Sequence, residues 1–290
     1  EAAYDRGLTA EADEPEKLAA AMAAALANAD REAKLALIRA HPDLAGRVDV
    51  ARSVSFAPQD EALINQFFPG APAWTDINGH GSHVASIVSS NAVVFAGMTT
   101  QTTLLAVKVL GQDGTGSFSS VLEGVRYAAD AGADIINMSL GVGFPKRQAV
   151  GLHGAVDRTV KYASRQGALV VVASGNDGID MDAVHDNVYF AMCETKTVLC
   201  VSATGPSDGP LFAQYPPALP LPSAVNFDEF AVFATFGEDV DIPAPGGIYT
   251  LGEDEEGEEV IVAGHFVVQL CAMTSIDLTG VTPPAPCAAS

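Results

Sequence analysis

His80 is the residue of this chain whose type and setting best suit proton transfer. It stands in Asn78-Gly79-His80-Gly81-Ser82-His83-Val84-Ala85. An imidazole titrates near neutral pH, so it can take a proton from a reacting group and return it. Glycines on both sides let backbone and ligand approach the ring closely. Val84, Ile87 and Val88 follow at helical spacing, which predicts a helix opening at His80. Taken alone, such a histidine also reads as structural. Three other segments share a pattern: Leu105–Gly116, Ile136–Gly141 and Val170–Gly178 each run from apolar residues into small or glycine residues. In open parallel sheets, ligands bind beyond such carboxyl ends. Singly, each of the three is also a plain strand-to-helix turn.

The elements that would position these residues alternate in type. Leu104–Leu110 reads as a strand, and Gly111–Gly116 as a glycine-rich turn. Phe118, Val121, Leu122, Val125 and Ala129 then recur at helical spacing. Asp134–Leu140 reads as a strand, Val156–Arg165 as a helix, and Ala168–Ala173 and Val198–Ala203 as buried strands. This order predicts an α/β fold: a three-layer α/β/α arrangement around a parallel sheet. Residues 206–235 are proline-rich and irregular, and Gly252–Glu259 reads as a solvated acidic loop. The start of the chain differs. Glu14–Ala29 is dominated by alanine, with Leu18, Met22, Ala25, Leu26 and Ala29 on one helical face. Asp13 serves as N-cap, with Pro15 in the first turn. A second helix is expected over Arg31–Ala40, stopped by His41-Pro42.

Composition narrows the function classes. Of 290 residues, 48% are apolar, enough for a packed core. No apolar run approaches the roughly 18 residues of a membrane span. A formal net charge of −21 repels nucleic acid and anionic membrane surfaces. Asp177, Asp180, Asp182 and Asp186 put four carboxylates in ten residues, so a structural calcium ion there is an expectation, though the spacing is not an EF-hand. The four cysteines fall as two local pairs, Cys193 with Cys200 and Cys271 with Cys287, and form no CxxC. Two short disulfides in a secreted protein fit this better than four separate thiols.

In this order and spacing, the histidine motif, the three strand-to-turn segments, Val201-Ser202-Ala203-Thr204 and Asp241-Ile242-Pro243-Ala244-Pro245-Gly246 resemble the subtilisin-like serine proteases. The resemblance covers roughly residues 41–287. It implies peptide-bond hydrolysis through an acyl-enzyme, with no required cofactor and an extended peptide or protein as substrate. His80 matches the general base. Asn176 matches the amide donor that holds the oxyanion. Gly114-Thr115-Gly116 and Ser139-Leu140-Gly141 match the two segments that flank an extended substrate and pair with its backbone. Ser82 stands where the family usually has threonine.

The chain also departs from that pattern. The family's catalytic aspartate opens an Asp-Thr-Gly or Asp-Ser-Gly, and neither string occurs before His80; its position is taken by Lys34. The nucleophile motif Gly-Thr-Ser-Met-Ala is absent too. Met273-Thr274-Ser275-Ile276 lacks its glycine and its helix, so Ser275 is a poor nucleophile and the serine segment is expected beyond Ser290. Residues 16–47 instead resemble a fragment of the ureidoimidazoline decarboxylases, whose catalytic histidine would be His41. His41–Arg47 suits both families, so the chain reads as a join: a helical segment over 1–47, then a subtilisin-like peptidase domain over 48–290. Hydrolysis is expected to be slight or absent. The alternatives are a catalytically dead peptide-binding module, a decarboxylase remnant using His41, or a fragment without function of its own.

Overall fold

The structure is a computed structural model. It describes residues 43–91, 97–141, 143–185, 187–190, 192–205, 229–231, 233–253 and 259–266. The two helices expected over 14–40 lie outside the described residues, as do His41, Asp186, Ser275 and the Cys271–Cys287 pair.

A parallel sheet forms the centre. Strands β3 (Ile135–Met138), β5 (Leu169–Ala173), β7 (Val198–Gly205) and β9 (Ile242–Pro245) pair side by side, all parallel. β8 (Glu229–Phe230) adds antiparallel pairing at the end of β7. Alternate residues of these strands point to one face. Ile136, Met138, Val170, Val172 and Cys200 meet helices α3 (Phe118–Asp130) and α4 (Lys146–Arg165) there. Val121, Val125, Ala128 and Ala129 of α3, and Val156, Val160 and Ala163 of α4, complete the core. These helices carry apolar residues at three- and four-residue spacing, which makes one buried stripe on each. The Ser117 hydroxyl caps α3 by accepting the Ser120 amide at 3.0 Å. The α/β architecture is the expected one.

The other elements are short. β1 (Val54–Ser55) pairs in parallel with β2 (Val107–Lys108), and a 3-10 turn (Pro58–Asp60) leads into α1 (Glu61–Phe67). α2 is His80–Val88 and α5 is Met181–Val184. β4 (Gly143–Pro145) and β6 (Val188–Phe190) form an antiparallel pair.

Several boundaries differ from expectation, each for a physical reason. The strand expected over Leu104–Leu110 shrinks to Val107–Lys108, with a single bridge from Leu104 to Val48 before it. α4 starts at Lys146, ten residues before Val156, because Ala149 and Leu152 extend its apolar stripe; Gly151 and Gly154 hide that stripe in the sequence. Gly252–Glu259 is not simply a solvated loop. β10 (Gly247–Glu253) and β11 (Glu259–Phe266) pair antiparallel through Gly252↔Val260 and Glu253↔Glu259, so Gly252, Glu253 and Glu259 are strand residues; residues 254–258 lie outside the described ones.

Candidate functional site

The first turn of α2 is built on one carboxylate. Gly79 takes a left-handed backbone, φ +109°, which a side chain would strain. Asp76 Oδ1 accepts the amides of Asn78 at 3.0 Å and Gly79 at 2.8 Å. Its Oδ2 accepts both the amide and the hydroxyl of Ser82, at 2.7 and 2.8 Å. The Ser82 hydroxyl is thus engaged with the carboxylate that shapes the turn. Asp76 also satisfies amides that a helix start leaves without partners, and its charge suits the positive helix end. His80 is exposed, and its amide donates to Asn78 Oδ1 at 3.1 Å. Among the described residues its imidazole makes no hydrogen bond or ion pair.

Two contacts tie this loop to the Gly111–Gly116 turn. Asn78 Nδ2 donates to the Gln112 carbonyl at 2.7 Å. Lys108 Nζ donates to the Thr75 carbonyl at 3.1 Å and pairs with buried Asp60 Oδ2 at 2.7 Å. The other Asp60 oxygen accepts the Gln112 amide at 3.0 Å. Inside the turn, Gly114 is left-handed at φ +74°. Asp113 accepts the Thr115 amide and hydroxyl at 2.9 and 2.8 Å, and these bonds hold its carboxyl below the ordinary aspartate range.

Ser139-Leu140-Gly141 and Asn176 come together in one pocket of about 290 Å³. The parallel pairing Met138↔Val172 places the segments after β3 and β5 side by side at the carboxyl edge of the sheet. Ser139–Gly141 and Gly143 form one wall, Ala173–Asp177 form another, and Phe190 joins them. His80 and Gly114–Gly116 are not in its walls.

The Asn176 loop is held from behind by Thr235, which is fully buried. The Thr235 carbonyl accepts the hydroxyls of Ser174 and Ser202 at 2.7 and 2.8 Å, and its amide donates to the Gly175 carbonyl at 3.1 Å. Gly175 is left-handed at φ +123°, and a Cβ there would lie 3.0 Å from the Thr235 hydroxyl. Cys193 and Cys200 form the expected disulfide, and the Cys193 sulfur lies 3.6 Å from the carbonyl of the pocket residue Ala173. Sequence reasoning missed Asp76, Asp60, Lys108 and Thr235. Asp76 carried a signal, an acidic residue ahead of a helix start with a hydroxyl in its first turn. Thr235, inside a proline-rich stretch, carried none.

Three of the aspartates expected to hold calcium, Asp177, Asp180 and Asp182, are engaged separately. Asp180 caps α5 by accepting the Asp182 and Ala183 amides at 3.0 and 3.4 Å, Asp182 accepts the Glu238 amide at 3.1 Å, and Asp177 belongs to the pocket wall. Among the described residues they do not converge on a metal-binding group.

Comparison with known proteins agrees with this geometry. The profile of the Subtilase family matches residues 36–275, and that of OHCU decarboxylase matches residues 2–64. A thermophilic serine proteinase of Bacillus sp. (strain AK1) is 31% identical over 71% of this chain and 40% of its own length. Thermitase of Thermoactinomyces vulgaris is 32% identical over 71% of this chain and 58% of its own. The chain thus spans about half the length of these relatives. Among solved structures, the epidermin leader peptide processing serine protease of Staphylococcus aureus superposes with TM-score 0.55 at 20% identity, covering 78% of this chain and 58% of that one. The nisin leader peptidase of Lactococcus lactis gives 0.55 at 19%, covering 78% and 70%; at such identities these two show the fold alone. The profile match spans most of the sequence, and the pocket lies where parallel strands end: the chain belongs to the subtilase family.

Proposed function

We propose that this chain binds extended peptide at the carboxyl edge of its sheet and cleaves it slowly or not at all. The observation that carries this reading is the pocket that joins Ser139–Gly141 to Asn176, together with an exposed His80 imidazole that has no carboxylate partner among the described residues. The edge after β3 offers backbone to an extended substrate, as in β-augmentation. Asn176 offers an amide donor where a carbonyl oxygen would gain charge. Gly114–Gly116, tied to the His80 loop through Asn78, forms the second flank. His80 shuttles a proton only if a nucleophile stands beside it, and an unpartnered ring has no fixed tautomer. In this reading the substrates are peptides or unfolded proteins outside the cell, where a disulfide persists.

Two measurements test the proposal. A serine-reactive phosphonate should leave the purified chain unlabelled, and an unfolded protein substrate should survive incubation. Fluorescent peptides should bind saturably, and Gly141→Val, which crowds the pocket, should weaken them about tenfold or more. Stoichiometric phosphonate labelling would show an active protease. Absence of any saturable peptide binding would leave a fragment without this function.

A further inference from the structure

The pocket beside Asn176 carries one charge. Among the described residues that line it, only Asp177 is ionised at neutral pH. Its carboxylate folds back over the wall: a Cβ placed on Gly175 would lie 3.7 Å from Asp177 Oδ2. The other acidic groups of this region are engaged. Asp180 caps α5, and Asp182 accepts the Glu238 amide. Glu194 accepts the Phe190 amide at 2.7 Å with one oxygen and pairs with Lys146 at 3.5 Å through the other, so these two charges offset each other. Among the described residues the Asp177 carboxylate accepts no hydrogen bond and pairs with no cation. A carboxylate held in a cleft with apolar walls focuses its field into that cleft.

The rest of the lining is apolar or small. Leu140 belongs to one wall and Ala173 to the other. Phe190 joins them and is only 6% exposed. Its ring covers Gly143, where a Cβ would lie 3.6 Å from Phe190 Cε1. The volume of about 290 Å³ stands at the small end of ligand sites, which run from ~300 to ~1,000 Å³. Such a pocket takes one side chain of a peptide, with the backbone left outside. Its occupant needs an apolar stem for the walls and a positive end for the carboxylate. Lysine and arginine combine the two.

We infer that this pocket selects a lysine or arginine side chain of the bound peptide, its stem against Leu140, Ala173 and Phe190 and its cationic end on Asp177. The inference rests on the peptide-binding reading above and adds the residue that the peptide must present. The seating follows from the loop. With the carbonyl of that residue on the Asn176 amide, the next residue of the wall, Asp177, lies beside its side chain. Arginine should bind at least as tightly as lysine, because a guanidinium can meet a carboxylate with two hydrogen bonds. The net charge of −21 attracts the same ligands from a distance but cannot choose where they sit.

The test uses the full chain and four fluorescent peptides, acetylated and amidated so that their ends are neutral. Each is Ala-Val-Ala-X-Ala-Val-Ala, with lysine, arginine, norleucine or glutamate at X. Norleucine keeps the stem and lacks the charge; glutamate carries the wrong charge. Fluorescence anisotropy should place lysine and arginine about fivefold or more above norleucine, and glutamate last. Asp177→Asn should remove the preference for lysine and leave norleucine binding within about twofold. Asp177→Lys should reverse the order, so that glutamate binds better than lysine. Glu123→Gln makes the same change of net charge at an exposed position of α3 and should alter none of the four affinities. Equal affinities for lysine and norleucine, with Gly141→Val still weakening both, would overturn this inference and leave the peptide site standing. Absence of saturable binding by all four would overturn both readings. A lysine preference that persists in Asp177→Asn, folded by circular dichroism, would overturn the role of Asp177, as would one that Glu123→Gln also removes.

Discussion

The Asp76 carboxylate takes four hydrogen bonds from three residues, Asn78, Gly79 and Ser82, and so shapes the turn that presents His80. Bonds to an ionised acceptor contribute more than neutral ones, and a helix cap contributes about 1–2 kcal/mol. Asp76→Ala should therefore destabilise the protein by about 2 kcal/mol. Asp76→Asn should lose about half of that, because an amide keeps one acceptor oxygen. Urea denaturation of the three proteins checks the ranking, and a neutral Asp76→Ala would show that the Gly79 turn forms without the carboxylate. Among the described residues nothing comparable holds the His80 ring, and His80 is not in the pocket walls, so the same variants should leave peptide binding beside Asn176 unchanged.

Between elements, the Lys108–Asp60 pair joins strand β2, the 3-10 turn before α1 and the loop that leads to His80. Both side chains are nearly buried, at 9% and 3% exposure. Removing one member of such a pair strands the other charge away from water, which costs about 3–5 kcal/mol. Lys108→Met should lower stability by about that amount in chemical denaturation. The double variant Lys108→Met/Asp60→Leu should recover part of the loss, but not all, because Asp60 also accepts the Gln112 amide. A loss below about 1 kcal/mol in the single variant would mean that water reaches Asp60. In the central sheet, the Thr235 backbone carbonyl fastens the loop after β5 to strand β7 through Ser174 and Ser202.

The charge of the whole molecule sets its response to pH. Burial, with Glu194 and Asp182 nearby, raises the Asp239 carboxyl above its ordinary value of 3.8. A raised acid is disfavoured in its ionised form. Its stability contribution is full below the unfolded value and lost as pH rises through the folded one. Asp239→Asn should thus stabilise the protein at pH 7, by at most about 1 kcal/mol because the group is largely exposed. That gain should vanish near pH 3.5, and melting curves at the two pH values measure it. Asp113 and Asp49 act in the opposite sense. Hydrogen bonds from Thr115 and from Arg52 lower their carboxyls, so their stabilising effect is present above the unfolded value and fades as pH falls through the lowered one.

The sequence by itself determined the class of the fold. Period-two apolar runs that end in glycine, alternating with helical stripes, leave little besides a parallel α/β sheet, and Ser139–Gly141 and Asn176 follow the ends of such runs, whereas His80 opens a helix. Local chemistry also sufficed for the Cys193–Cys200 disulfide, whose partners are seven residues apart. The tertiary structure decided what depends on distant partners. Thr235 meets Ser174 across 61 residues, and Lys108 reaches Thr75 across 33; no local period records either contact. Gly252, Glu253 and Glu259 became strand residues because β10 and β11 pair there. Strand pairing is a relation between separate stretches of chain, so it shows itself only once the neighbouring strands are in place.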